Sequence, residues 1–121
     1  MGFKNKYAEF WMEDGILFFV YKANTIIDLK AAESIVKDRI RFQNEKELPI
    51  LCDMRQLHIV EKPARDYLAA EGSYLAKAVA LVVKELYTEK LVDVFLQTSK
   101  PSVPTRRFTS ETKALEFLKQ F

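Results

Sequence analysis

The hydrophobic and polar positions change period along the chain. "AEFWME" (8–13) and "ILFFVYK" (16–22) are strand-like runs separated by Asp14-Gly15. Asp-Gly between two such runs predicts a hairpin, because a type I′ turn needs positive φ at its central positions. In the first run Ala8, Phe10 and Met12 share one face, and Glu9, Trp11 and Glu13 share the other. The second run, Ile16 to Tyr21, has no polar break. It reads as a central strand covered on both faces. From Asp28 the period lengthens. In "DLKAAESIVKDRIRF" Leu29, Ala32, Ile35, Val36 and Ile40 recur at helical spacing, while Lys30, Glu33, Lys37 and Asp38 point outward. Asp28 is placed to cap this helix.

"LPILCD" (48–53) is the next strand, with Pro49 near its start where a strand tolerates proline. "KPARDYLAAEG" follows as a helix with Pro63 in its first turn. Ala78 to Val83 is valine-rich and reads as a strand, not as a continuation of that helix. "ELYTEKLVDVFLQTSK" (85–100) carries a helical stripe of Tyr87, Leu91, Val92, Val94 and Phe95 and ends at Pro101. "TRRF" is a short last strand. "TSETKALEFLKQF" is a last helix, capped by Thr109 or Ser110, with Leu115, Leu118 and Phe121 turned inward. The order β-β-α-β-α-β-α-β-α predicts an α/β fold: five strands in a mixed, largely parallel sheet, with four helices and the initial hairpin as an antiparallel edge. Ligands of such sheets gather outside the carboxyl ends of the strands. Here those ends carry Asp53, Met54, Arg55 and the loop to Lys62, and also Lys84 and Glu85.

Composition narrows the function classes. The chain has 121 residues, 49% hydrophobic and 30% charged, which predicts one domain over residues 1–121. A net charge of +2 is too small to argue for nucleic acid or an anionic membrane surface. No apolar run approaches the roughly 18 residues of a membrane span. One cysteine excludes an intramolecular disulfide and fits a reducing compartment, so the expected location is cytoplasmic. "MGFKNKYAEFW" lacks the apolar segment of a signal peptide, and Lys6 breaks the myristoylation pattern.

Several stretches carry a resemblance: "EDGILFFVYK", "IIDLKAAESIVKDRI", "LCDMRQL" followed by "ARDYLA", and the ending "KPSVPTRRFTSETKALEFLKQF". They resemble a bacterial group of small STAS/SEC14-like proteins, whose SpoIIAA-like fold is that of the anti-sigma factor antagonists. The resemblance covers nearly the whole chain. It implies a single STAS-like domain acting through protein contacts, or, by analogy with SEC14 domains, a carrier of a small apolar ligand or lipid. Anti-sigma factor antagonists carry a phosphorylatable serine just after the third strand, at the start of the second helix. Here that region is "DMRQLHIVEKPAR", without Ser, Thr or Tyr; the next hydroxyls are Tyr67 and Ser73. No phosphorylation site is therefore expected.

The chemistry-bearing residues are few. Cys52 and His58 invite a thiolate–imidazole reading, but Cys52 lies in an apolar strand, where cysteine behaves as a small hydrophobe. Asp53 and Arg55 either orient a ligand or pair with each other and with local backbone to fix the loop. One Cys and one His make no recognisable metal site. Gly2, Gly15 and Gly72 form no phosphate-binding loop. Arg106 and Arg107, near Lys100, fall on opposite strand faces and read as charges guarding an edge. Trp11 is either an exposed anchor for a partner or covered by a helix of its own chain. The expectation is a non-enzymatic interaction module without cofactor, metal or catalytic residue. Its partner is another protein or a second copy in a homodimer, and its contact residues are drawn from Trp11, Asp53, Arg55 and His58.

Overall fold

Turn chemistry fixes the first register. In the computed structural model, which describes residues 2–84, 90 and 92–121, Asp14 and Gly15 take φ of 52° and 78°. They join β2 (Ala8–Glu13) to β3 (Ile16–Tyr21) as an antiparallel hairpin with Phe10 opposite Phe19 and Trp11 opposite Phe18. A short strand that the hydrophobic pattern does not announce, β1 (Gly2–Lys4), pairs antiparallel with β2. The main sheet thus has six strands, not five.

The remaining elements follow in alternation. They are β4 (Ile26–Ile27), α1 (Leu29–Gln43), β5 (Leu48–Asp53), β6 (Ile59–Val60), α2 (Lys62–Ala70) and β7 (Ala76–Val82). Next come α3 (residues 92–99, with Phe95–Ser99 as a π-helical stretch), β8 (Thr105–Phe108) and α4 (Glu111–Leu118). The sheet order is β1-β2-β3-β5-β7-β8, and β4 pairs with β6 in a small parallel sheet of two. The β3–β5, β5–β7 and β7–β8 pairs are parallel, so the sheet is mixed and mostly parallel. Asp28 caps α1 by accepting from Ala31 N–H at 2.8 Å, and Ser110, not Thr109, caps α4. The expected helix 85–100 is seen only in part. Glu85, Tyr87 and Leu91 lie outside the described residues, as does the side chain of Phe95.

Both faces of the sheet are covered. Phe10, Leu17, Phe19, Tyr21 and Ile50 pack with Ala32 and Ile35 of α1 and Ala64 of α2. On the other face Ile16, Phe18, Leu51, Ala80 and Val82 pack with Ala114, Phe117 and Leu118 of α4. This double cover is why β3 and the first four residues of β5 read as unbroken apolar runs. The inward stripe of α1 differs from the expected one. Leu29 is exposed and Ile40 half-buried, while Arg39 and Gln43 are buried. In the other helices Val94 and Phe121 are exposed, although the Phe121 ring still meets Phe117 edge-on at 5.2 Å.

Arg39 and Gln43 act as a clamp. Arg39 bonds the Gln43 side-chain oxygen and donates to the carbonyls of Gly72 and Tyr74, each at 3.0 Å. Gln43 donates onward to the carbonyls of Lys46 and Leu75, each at 2.9 Å. Removing Arg39 unpairs these acceptors at once, the buried Gln43 oxygen among them. Arg39→Ala is expected to cost about 2–4 kcal/mol in urea unfolding, against under about 0.5 kcal/mol for the exposed Lys37→Ala. Equal losses would show that the clamp carries no stability.

Candidate functional site

The sequence-chosen residues are dispersed. Asp53, at the carboxyl end of β5, accepts from Arg55 Nε at 2.9 Å and from its terminal nitrogen at 2.6 Å, a two-pronged pair. The Asp53 carboxylate also accepts from the Arg55 backbone N–H at 3.0 Å, closing a local turn. The pair holds the Arg55 guanidinium above its ordinary pKa. Arg55 further reaches Glu111, at the start of α4, at 3.5 Å. Asp53 and Arg55 are thus spent on each other and on anchoring the loop.

His58 is exposed, and its backbone N–H donates to Thr25 O at 3.1 Å. Trp11 is half-buried, stacked on Phe18 with centroids 5.6 Å apart and packed against the cluster that includes α4. No described contact joins Trp11, His58 and the Asp53–Arg55 pair. Arg106 lies over the rings of Phe108 and Phe117 at 5.6 and 5.4 Å, while Arg107 bonds Asp93 at 2.6 Å. The two arginines therefore do face opposite ways. Among the described residues no group of three His, Cys, Asp or Glu is placed to hold a metal ion. Nor is any described helix long and apolar enough to cross a membrane.

The residues that do converge lie inside. Between the sheet and the α1–α2 layer is a cavity of about 100 Å³. Its walls include Phe19, Ile50 and Leu81 from the sheet, Ile35 from α1, Leu68 from α2 and Val92 from α3. Met54 and Val60, from the carboxyl-end loop, close part of one side. Among the described residues, four polar side chains join this apolar wall besides Ser73 and Thr105: Tyr21, Arg39, Cys52 and Arg65. Burial pushes the Tyr21 hydroxyl and the Cys52 thiol well above their ordinary pKa values, with smaller contributions from neighbouring charge. Burial draws Arg39 down to about 10, still a cation at neutral pH.

Sequence reasoning missed this wall, although one signal was available. Arg39 falls on the stripe Ala32, Ile35, Val36, and Arg65 precedes Leu68 and Ala69 by three and four residues. A cation on the buried stripe of each of two consecutive helices marks polar business indoors.

Two measurements check these placements. Cys52, held as the neutral thiol, is expected to react with iodoacetamide at least about a hundredfold more slowly in the native protein than in urea. Native alkylation at the unfolded rate would mean an accessible thiolate. Asp53→Asn is expected to cost about 1 kcal/mol in thermal unfolding, as befits a well-made pair at the surface. A cost near zero would leave the loop without this anchor.

The fold has a solved counterpart. The chain is similar to an uncharacterised protein of the DUF3478 family with a SpoIIAA-like fold, from Shewanella loihica PV-4. The TM-score is 0.61 at 15% identity, over 95% of this chain and 97% of that one, a likeness of fold alone. No curated protein matches the sequence. The model of the family described as "Domain of unknown function (DUF7793)" matches residues 10–121, and the chain belongs to that family.

Proposed function

We propose that this protein is a non-enzymatic binding module with a SpoIIAA-like fold that takes a small, mostly apolar molecule between its sheet and the α1–α2 layer. The observation that carries the reading is the cavity itself. It is walled by Phe19, Ile35, Ile50, Leu68 and Leu81 and lies beside the carboxyl-end loop of β5. Its size sets the ligand class. A cavity of roughly 150 Å³ holds benzene, so about 100 Å³ suits a somewhat smaller molecule and not the acyl chains of a phospholipid. The non-enzymatic part rests on the wall chemistry. A general acid or base works best with a pKa near the operating pH, whereas burial drives Tyr21 and Cys52 away from neutrality. Regulation through a phosphorylated serine is not part of this reading, because residues 53–65 hold no hydroxyl side chain.

A second reading, docking of another protein or of a second copy, is favoured by one observation. Phe3 and Met12 are exposed together on the β1–β2 edge, diagonal across the register that sets Phe3 opposite Phe10. The cavity is the better-built feature, since Trp11 is engaged within its own chain.

Xenon is a suitable neutral probe, small enough for the cavity. Titrated into methyl-labelled protein, it is expected to give saturable NMR shifts centred on Ile35, Ile50, Leu68 and Leu81. Shifts that stay flat, or that gather on Phe3 and Met12 instead, would sink the cavity reading.

A further inference from the structure

The polar atoms of the cavity specify what the apolar ligand must carry, so this inference rests on the cavity reading above and names its head group. Two guanidinium groups line the cavity, and neither has a carboxylate partner among the described residues. Arg39 is only 4% exposed, yet its bonds go to an amide oxygen and two carbonyls. Its hydrogen bonding is served but its charge is not. Arg65 donates from one terminal nitrogen to Val60 O at 2.8 Å. Its Nε–H is buried without an acceptor, and no other described buried side-chain nitrogen or oxygen is left so. The adjacent Asp66 accepts no hydrogen bond from it, being bonded by Lys62 at 2.7 Å and by Ser99 at 2.8 Å, although its carboxylate still feels the Arg65 charge.

The other polar groups of the wall do not compensate. Ser73 donates to Ala69 O and Thr105 to Val103 O, each inside its own segment. No described hydrogen bond engages the Tyr21 hydroxyl, another donor facing the same space. Among the described residues the wall thus offers two cations, an orphaned N–H and an unengaged hydroxyl, and no acid. Arg39 is buried and Arg65 half-buried, and charge withdrawn from water persists where something neutralises it.

We propose that the cavity binds a short-chain carboxylate, its hydrocarbon chain against Phe19, Ile50 and Leu81 and its carboxylate accepting from the Nε–H of Arg65. Since roughly 150 Å³ accommodates a six-carbon ring, the smaller available volume of about 100 Å³ points to an acid of about two to four carbons. The planar fork of Arg65 suits a carboxylate better than a point charge would. The charge of Arg39 adds attraction without needing to give up its carbonyls.

The test compares propanoate with 1-propanol, equal in chain length but neutral, by NMR titration at a pH where propanoate is ionised. Propanoate is expected to bind at least about tenfold more tightly than the alcohol. Arg65→Met keeps the apolar stem and is expected to erase that preference in a protein whose amide spectrum shows it folded. Equal binding of the two probes by wild type would overturn the inference and leave the apolar reading standing; no binding of either would overturn both. A propanoate preference that survives in folded Arg65→Met would also overturn the assignment. If that variant does not fold, the Arg65 Nε–H resonance of wild type decides: a downfield shift with propanoate supports the assignment, and an unmoved resonance overturns it.

Discussion

Unmet guanidinium donors are costly in a protein interior, and the way Arg39 is satisfied organises half of this molecule. The group sits near the end of α1, under the sheet, where its apolar neighbours Ile35 and Val36 are buried. Its donors reach the carbonyls of Gly72 and Tyr74, and through Gln43 the network extends to Lys46 and Leu75. One buried cation therefore ties the end of α1 to the turn between α2 and β7. That turn is itself constrained. A Cβ on Gly72 would meet Leu68 O at 2.2 Å, and Leu75 enters β7 at a φ of 63°. The strand that receives this turn, β7, lies between β5 and β8. The position of the α-layer over the sheet is thus a polar matter as much as an apolar one.

The opposite face is organised by size. Ala78 and Ala80 are fully buried where α4 packs, so Ala114 and Leu118 come down close to β7. Aromatic bulk fills the margins of this layer: Phe18 under Trp11, and Phe117 between Phe108 and Phe121. Arg106 covers two of these rings with its own cationic plane. The unequal layers explain where space remains. Small residues let α4 close on its face, whereas the α1–α2 layer stands off the other face by the height of Phe19, Tyr21 and an arginine from each helix.

Much of the fold was legible because its signals are local. Asp14-Gly15 demands positive φ, the unbroken run 16–21 demands cover on both faces, and Asp28 and Ser110 mark helix starts with their own side chains. The alternation of strands and helices then leaves few topologies. What escaped is non-local. Three residues, Gly2–Lys4, are too few to show a period, and they become a strand only because β2 offers an edge. Periodicity chose Leu29 and Ile40 over Arg39 and Gln43 because it ranks side chains by polarity. The burial of Arg39 depends on carbonyls more than thirty residues away. Asp53 and Arg55 were correctly open to a structural role, since two residues of separation at a strand end favour pairing with each other.

The cavity was illegible for the same reason, and that bears on where function is sought in this fold. The loop after β5 is the natural place to look, because parallel strands point their carboxyl ends at ligands. Here the charged groups of that loop satisfy one another: Asp53 holds Arg55, and Arg55 reaches across to Glu111 on α4. What the loop contributes inward is apolar, Met54 and Val60. The uncompensated charge lies one layer deeper, on helix faces that composition would assign to packing. Paired charge on the loop above guanidinium groups without an ion-pair partner among the described residues supports the proposed ligand over an object that docks outside. It also makes the charge balance of the α1–α2 layer, more than the identity of the loop, the quantity on which the proposed binding turns.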